Sequence, residues 1–553
     1  MKRLIYFLLI MSLLTSCGED RQARFTQFNY FGQDPCYDDL AATDSTYFNP
    51  ILTGNYPDPS VCRVGDTYYM VTSSYAYYPS IPVFSSIDLV TWYELGNATA
   101  AFDFKRQSLT QGIYAPTIRY NKANKTFYII ASDVGGRGAF ILKSTDPNVG
   151  WSEPIFISGI GGPDPSLFFD NRGRAYILHS DEAPHGRAQW EGHRSIRIHI
   201  FDTQTDKVIG EERILVDGGA KRSRKPKNIE CPRMYKIGSR YYLMCSEGGM
   251  GEKLQGVMFV SRNVLGPFRP CAKNPILSQH KLDRTRTFGA VGVGHADLVD
   301  DVDGKYWAVF SGSRPTGENF CLTGRETFLL PFKIAKGQPA ILSPADTLMP
   351  LMPKANLDVV AQRDYLSGNV DFQYTFGGNH LSPSFVTLRA PREDFYSVER
   401  KGLNISLLPT YLAPGRFPAL LGRRVQHSNF TVETTIDFVP GGESEFAGLA
   451  LVRDENNYSV FGITYKKGRK TSVVATIVDG KRIIEGEAPI SSLDVITLRI
   501  VGENTQLRFQ LVDGPKITDV CTTSALHLST QTVSPVGVLA SMYCTSCWKE
   551  DEE

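Results

Sequence analysis

Short runs of aromatic and aliphatic residues recur along the first part of the chain: Tyr68–Val71, Phe127–Ile130, Tyr176–Leu178, Tyr241–Met244 and Tyr306–Val309. Each is too short for an amphipathic helix and is bounded by turn formers, so each reads as a buried strand. Each also follows, by roughly a dozen residues, a near-equivalent short segment. These segments are Pro57-Asp58-Pro59-Ser60-Val61, Tyr114-Ala115-Pro116-Thr117-Ile118, Pro163-Asp164-Pro165-Ser166-Leu167, Ile229-Glu230-Cys231-Pro232-Arg233 and Gly294-His295-Ala296-Asp297-Leu298. A period of roughly 50–65 residues built from short strands predicts propeller blades. In a propeller the innermost strand of every blade lines a central channel, so a residue that recurs at the head of that strand points at one axial site. Asp58, Asp164, Glu230 and His295 are predicted to meet there. A second repeat, Ser86-Ile87-Asp88 before Trp92, Ser144-Thr145-Asp146 before Trp151 and Ser261-Arg262-Asn263 before Phe268, fits an outer hairpin whose Asp or Asn bonds local backbone donors.

After about Met349 the texture changes. Thr431–Phe438, Ala447–Arg453, Tyr458–Tyr465, Thr471–Val478 and Val495–Val501 alternate or run as β-formers between turns such as Asp479-Gly480. With no long helical period, this part predicts a β-sandwich. The fold class is therefore all-β: a five-bladed propeller over residues 48–345, then a linker and sandwich over 346–553. Residues 18–47 show no clear period and read as a tether. Residues 1–17 carry Lys2 and Arg3, an apolar stretch Leu4–Leu14 too short to span a bilayer, and Leu14-Thr15-Ser16-Cys17, which resembles a bacterial lipobox. The expectation is a signal peptide cleaved before Cys17, lipidation of that cysteine, and an exported lipoprotein held at the cell envelope, on the outer membrane with surface exposure as one option, or facing the periplasm.

Lys and Arg number 59 against 58 Asp and Glu, a net charge of +1. That balance gives no reason to expect a nucleic-acid partner, or a membrane partner beyond the lipid anchor. The basic run Lys221-Arg222-Ser223-Arg224-Lys225-Pro226-Lys227 reads as a solvated blade loop, with contact to a uronic-acid-bearing glycan as the alternative. Cys17 aside, nine of the ten cysteines remain, with no framework spacing. Cys62 and Cys245 fall within strand patterns, and the lone Cys544-Thr545-Ser546-Cys547 lacks the second pair that a zinc site needs.

Converging carboxylates on an axis suit glycosidic bond hydrolysis. Inversion needs one carboxylic acid to protonate the leaving oxygen and one carboxylate to activate water on the other face of the sugar. Glu230, flanked by Ile229, Cys231 and Pro232, has the apolar setting that favours the protonated acid. Asp58, in a turn with free backbone donors, suits the ionised base. Asp164 repeats the Asp58 context and would raise the pKa of the acid by like-charge repulsion. A single Asp-Pro-Ser would be only a strand-opening turn; two matched copies with Glu230 favour catalysis.

The segment Asn49-Pro50-Ile51-Leu52-Thr53-Gly54-Asn55-Tyr56-Pro57-Asp58-Pro59-Ser60 closely resembles the start of the glycoside hydrolase family 43 catalytic domain. Gly112–Arg119, Asp164–Phe168, Gly294–Asp297 and Gly324–Leu329 resemble it too, and Leu421–His427 with Ala447–Ala450 look like the concanavalin-like sandwich of the β-xylosidase branch. The resemblance implies a five-bladed propeller and an inverting, exo-acting enzyme with Asp58 as base, Glu230 as acid, and Asp164 as pKa modulator and orienter. It places Arg325 at the sugar subsite, Tyr77 and Tyr114 at substrate-facing positions where relatives carry Trp, and Cys231-Pro232-Arg233 where they read Gly-Pro-His. It puts His295 beside a water-filled or calcium-occupied channel, which makes calcium a candidate structural ion with no cofactor required. The implied substrate is an oligosaccharide or polysaccharide of plant cell walls that yields xylose or arabinofuranose. β-Xylosidase leads, α-L-arabinofuranosidase is the alternative, and a non-catalytic surface glycan-binding protein is the reading from another class.

Overall fold

The computed structural model describes residues 21–548 apart from 103–107, 284, 285, 287, 318, 356, 358–365, 379, 392, 393, 491–494 and 531–535. Cys17 and the segment expected to be a signal peptide lie outside the described residues. Five four-stranded antiparallel sheets follow one another along the chain, each paired in sequence order. Their innermost strands are Ser60–Val64, Gly112–Asn121, Ser166–Phe169, Glu230–Ile237 and Val291–Asp300. Each packs against the innermost strand of the next blade, and the last against the first, which closes the ring. The aromatic-aliphatic runs are the second strands, and their side chains fill apolar clusters between blades, such as Met70, Phe84 and Trp92 against Val309 and Leu329. Closure is locked where Ile51 and Leu52 exchange backbone hydrogen bonds with Thr327 of the fifth blade. The outer turns behave as expected: Asp88 accepts Val90 and Thr91 N–H, Asp146 accepts Asn148 N–H, and Asn263 accepts Leu265 N–H.

Two facing sheets form the sandwich. One is ordered Ala419–Arg424, Leu539–Thr545, Phe446–Asp454, Asn457–Lys466, Arg469–Val478, Lys481–Pro489. The other runs Tyr396–Glu399, Gly402–Ser406, Gln22–Gly32, Phe430–Asp437, Ile496–Glu503, Gln506–Asp513, Lys516–Ser524, with Val370–Thr375 also paired to Gln22–Gly32.

The segment expected as a tether is thus partly a sandwich strand. Gln22–Gly32 sits inside the second sheet, and Ala23, Phe25, Phe28 and Tyr30 are all fully buried in its core. Its alternation is hidden in the sequence because a bulge between Phe25 and Gln27 moves the inward-facing residues from odd to even positions. Asp34, just beyond the strand, accepts the backbone N–H of Ser428 and Asn429 and pairs with Arg314 of the fifth blade, so it ties the two domains together.

Candidate active site

At the head of each innermost strand, or just ahead of it, stands one non-glycine residue with left-handed backbone: Asp58 (φ 56°), Ala115 (43°), Asp164 (60°), Cys231 (56°) and His295 (50°). In blades two, four and five, pairing to the second strand slips around this residue. In blades one and three the strand begins two residues after it. Such a backbone costs a non-glycine residue roughly 1–2 kcal/mol, and strain of this kind gathers at functional sites. The recurrence in the sequence is this turn, repeated five times around the axis. One detail differs from the sequence reading: Glu230 stands one residue ahead of the position shared by Asp58, Asp164 and His295, and Cys231 fills that position.

A buried serine stands two residues past each second-strand run, at Ser73, Ser132, Ser180, Ser246 and Ser311, and all but Ser132 bond the next blade. Ser73 accepts the N–H of Ala115 at 2.7 Å, Ser246 that of His295 at 2.8 Å and Ser311 that of Asp58 at 2.6 Å. Ser180 instead donates to the carbonyl of Ile229 at 2.7 Å, beside Glu230, and accepts from Arg194. Sequence reasoning missed these serines, although their constant offset was there to be read. Gly162 shows how tightly the third blade is set. Its φ of 68° favours glycine, and a Cβ there would lie 1.9 Å from the carbonyl oxygen of Ser180.

Asp58 is buried and ionised. Arg325 grips it with Nη1 at 2.8 Å from Oδ1 and Nη2 at 3.0 Å from Oδ2, while Ser73 donates at 2.7 Å and Tyr75 at 3.2 Å. Burial alone would raise its pKa, but the Arg325 charge, His295 and these donors reverse the effect and hold it at about 2. Glu230 is pushed the other way, up to about 7, first by burial and then by the charge of Asp164, against the opposing pull of His295 and Arg194. Arg194 Nε stands 3.9 Å from Glu230 Oε1, too far for a hydrogen bond. Asp164, Glu230 and His295 bring polar atoms within 4.8 Å of one another. His295 lies between the two aspartates, with Nδ1 3.2 Å from Asp58 and Nε2 3.7 Å from Asp164. These are charge contacts, since Nδ1 makes no aligned hydrogen bond. Burial opposes a charged ring, yet Cys231 and the two aspartates outweigh it and lift His295 to about 10.

The sequence-predicted residues therefore converge, with exceptions. Tyr77 is not in the site. It is buried between propeller and sandwich, where its hydroxyl donates to the carbonyl of Gly537 at 3.1 Å and its ring lies beside Arg424. Tyr75, two residues earlier, bonds both Asp58 and Arg325. The chain turns over between them, with Tyr75 at φ 49°, which sends the two rings to different places. Tyr114 stands beside the site, its ring edge-on to Tyr75 at 4.7 Å and its hydroxyl bonded to the Thr110 carbonyl. Gly324 brings Arg325 in against the sandwich: a Cβ on it would meet Asn55 Oδ1 at 2.5 Å and the backbone of Gly537 at 2.8 Å.

Asp164, Glu230 and His295 are the residues here that could hold a metal ion; calcium takes roughly 6–8 oxygen ligands, waters among them, of which this cluster would supply the carboxylate oxygens. In the basic loop, Arg222 pairs with Asp217 and Lys227 with Glu191, while Lys221, Arg224 and Lys225 are exposed.

A buried carboxylate locked in the ionised state, beside a second one biased toward protonation, can supply a base and an acid to one bond. The family model for glycosyl hydrolases family 43 matches residues 47–339, and that for the β-xylosidase C-terminal concanavalin A-like domain matches residues 373–553. The chain is 31% identical to a non-reducing end α-L-arabinofuranosidase of Bacteroides ovatus, over 92% of each protein. It is 30% identical to a xylosidase/arabinosidase of Butyrivibrio fibrisolvens, over 91% of this chain and 96% of that one. A crystal structure of a family 43 protein retrieved from a capybara gut metagenome superposes with a TM-score of 0.88 at 32% identity, over 95% of this chain and 99% of that one. With its propeller, its axial carboxylates and its concanavalin-like sandwich, this chain belongs to family 43 of the glycosyl hydrolases.

Proposed function

We propose that the protein is an exo-acting, inverting glycosidase that releases xylose or arabinofuranose from plant cell-wall oligosaccharides, with β-xylosidase activity foremost. The observation that carries this reading is the opposite protonation bias of Asp58, at about 2, and Glu230, at about 7. At neutral pH Asp58 is the base that takes a proton from water, and Glu230 is the acid that gives one to the departing oxygen. Asp164 keeps that acid protonated, and His295 holds the two aspartates apart in charge. Arg325 fixes Asp58 and keeps its buried Nε free of partners among the described residues, ready for a sugar hydroxyl. The names of the relatives and the β-xylosidase-type C-terminal domain support the sugar.

The test is release of free pentose from β-D-xylosides and α-L-arabinofuranosides, compared by kcat/KM, with Glu230→Gln alongside. Turnover of neither by a folded protein refutes the assignment. Anomeric configuration of the first product, followed by NMR, tests inversion. The lipobox-like Leu14-Thr15-Ser16-Cys17 supports export and lipid anchoring at Cys17. Labelled palmitate should enter the wild type and not Cys17→Ser.

A further inference from the structure

One layer below the left-handed residues, two positions along each innermost strand, the blades contribute Ser60, Thr117, Ser166, Arg233 and Asp297 to the channel. All five are fully buried, each with no exposed area. Four of the ring's polar groups can be followed to their ends. Asp297 is saturated: Arg119 grips it with two bonds at 2.8 and 2.7 Å, Ser60 donates at 2.6 Å, the Val61 N–H at 3.1 Å, and Tyr235 donates as well. Ser60 is therefore paired, and Thr117 donates to the Pro165 carbonyl at 3.1 Å. Arg233 uses only Nη1, on the carbonyl of its neighbour Pro232 at 3.2 Å.

Arg233 Nε and Nη2 have no partner among the described residues, nor has the hydroxyl of Ser166 on the adjoining strand. Nε and Nη2 share one edge of the guanidinium, the edge that takes an anion through two parallel N–H bonds. A buried guanidinium left with that edge empty would cost several kcal/mol, roughly. Charge around the axis points the same way. Asp58 is neutralised by Arg325, and Asp297 by Arg119. Asp164 faces His295. Arg233 makes no ion pair among the described residues, and Asp297, the carboxylate that feels its charge, is already held by Arg119. The open groups here are all able to donate, and the one acidic side chain within the ring has no lone pair to spare. A cation is thereby excluded from the position and an anion is wanted there.

We propose that the propeller channel holds a small inorganic monovalent anion, of the chloride class, bound by the Nε/Nη2 edge of Arg233 and the hydroxyl of Ser166. The site lies one layer beneath the carboxylate cluster, within the ring of five blades, and acts as an internal counter-ion that pins the third blade to the fourth.

The test uses the whole protein, purified without halide in gluconate and then given sodium bromide at constant ionic strength. Bromide should raise Tm saturably, and chloride should do the same. Crystals grown in bromide should show an anomalous peak within hydrogen-bonding distance of Arg233 Nε and Nη2 and of Ser166 Oγ. Ser166→Ala should weaken the halide response by about tenfold, the worth of one hydrogen bond to a charged group, and Arg233→Met should abolish it. If Arg233→Met does not fold, the wild-type diffraction decides. The proposal is overturned by water-like density with no anomalous signal at that position, by Arg233 turned onto Asp164 or Glu230, or by a Tm indifferent to halide. Occupancy seen only at crystal concentration, with no effect in dilute solution, overturns it too.

Discussion

Replacing Asp164 by Asn should move the alkaline limb of the activity profile to lower pH. The substitution removes a charge and keeps the shape. Polar atoms of Asp164 and Glu230 lie within 4.8 Å of each other. Two unit charges at that separation repel by about 0.9 kcal/mol in bulk water and about 3.5 kcal/mol at an effective dielectric constant near 20. At about 1.36 kcal/mol per unit, the carboxylate of Asp164 is worth roughly 0.6 to 2.5 units on its neighbour. Glu230 stands at about 7 against an ordinary 4.5, and burial contributes more to that rise than Asp164 does. Burial survives the substitution, so the limb should fall by about one unit and stop above the ordinary carboxyl range.

The sign follows from the role of the acid. Activity needs Glu230 protonated and is lost as pH rises through its pKa, so a lower pKa brings that loss earlier. Asp58, at about 2, leaves the acid limb unchanged within the stable range. The assay is kcat/KM against pH, read as pentose released from an unactivated oligosaccharide. A 4-nitrophenyl glycoside would hide the effect, because its leaving group departs with little help from a proton. A limb that stays in place, or rises, in a variant of unchanged Tm would refute the assignment of Asp164 as the charge that keeps Glu230 protonated.

Glu230→Gln should lower kcat on oligosaccharides by roughly 10²–10⁴, the usual worth of a general acid, and far less on 4-nitrophenyl glycosides. An equal loss on both would show that Glu230 does not serve as the acid. Tyr75→Phe removes a hydrogen bond to a charged carboxylate and should cost about tenfold or more in kcat/KM with little change in Tm. Tyr77→Phe should do the reverse, lowering Tm through the lost bond to Gly537 and leaving the kinetics intact; a kinetic defect there would return Tyr77 to the site. Removing residues 21–32 would take Phe25, Phe28 and Tyr30 from the sandwich core. At about 1.5–3 kcal/mol each, that loss rivals the whole stability of a domain, so the truncated protein should be insoluble. A soluble product with unchanged Tm would mean that the segment is a tether after all.

Much of this architecture was legible because a propeller writes its period into the chain. The five second-strand runs and the five segments ahead of them mark the blades, and they place Asp58, Asp164 and His295 without ambiguity. What stayed hidden depended on departures from a simple period. Gln22–Gly32 was unreadable as a strand because its bulge breaks the alternation, and because its pairing partners lie some four hundred residues away, as with Gln27 and Thr435. Tyr75 and Tyr77 could not be told apart, since only the left-handed turn at Tyr75 decides which ring reaches the axis. Burial of Arg233 was illegible for a similar reason: an arginine following a basic loop reads as surface, and only the register of the ring puts it inside.

That register also accounts for why equivalent strands yield unlike carboxylates. Asp58 and Asp164 occupy the same left-handed position two blades apart, and what separates them is their neighbours. Arg325, brought in by the fifth blade with the sandwich at its back, closes on Asp58 alone. Glu230 is displaced by one residue, ahead of the left-handed Cys231. Where a neighbouring serine reaches toward it, the Ser180 hydroxyl is spent on the Ile229 carbonyl and so gives the carboxylate nothing. His295 acts on it by charge, and Arg194 stays beyond hydrogen-bonding distance at 3.9 Å. A carboxyl group without donors among the described residues, buried beside the carboxylate of Asp164, keeps its proton; the carboxyl two blades away, gripped by an arginine, a serine and a tyrosine, gives it up. The division of labour between acid and base therefore follows from a one-residue offset within a repeated turn, and Arg325→Met should erode it from the other side by releasing Asp58 toward protonation. The acid limb of kcat/KM should then rise into the measurable range, and a profile with no new acid limb would mean that Arg325 serves the sugar and not the base.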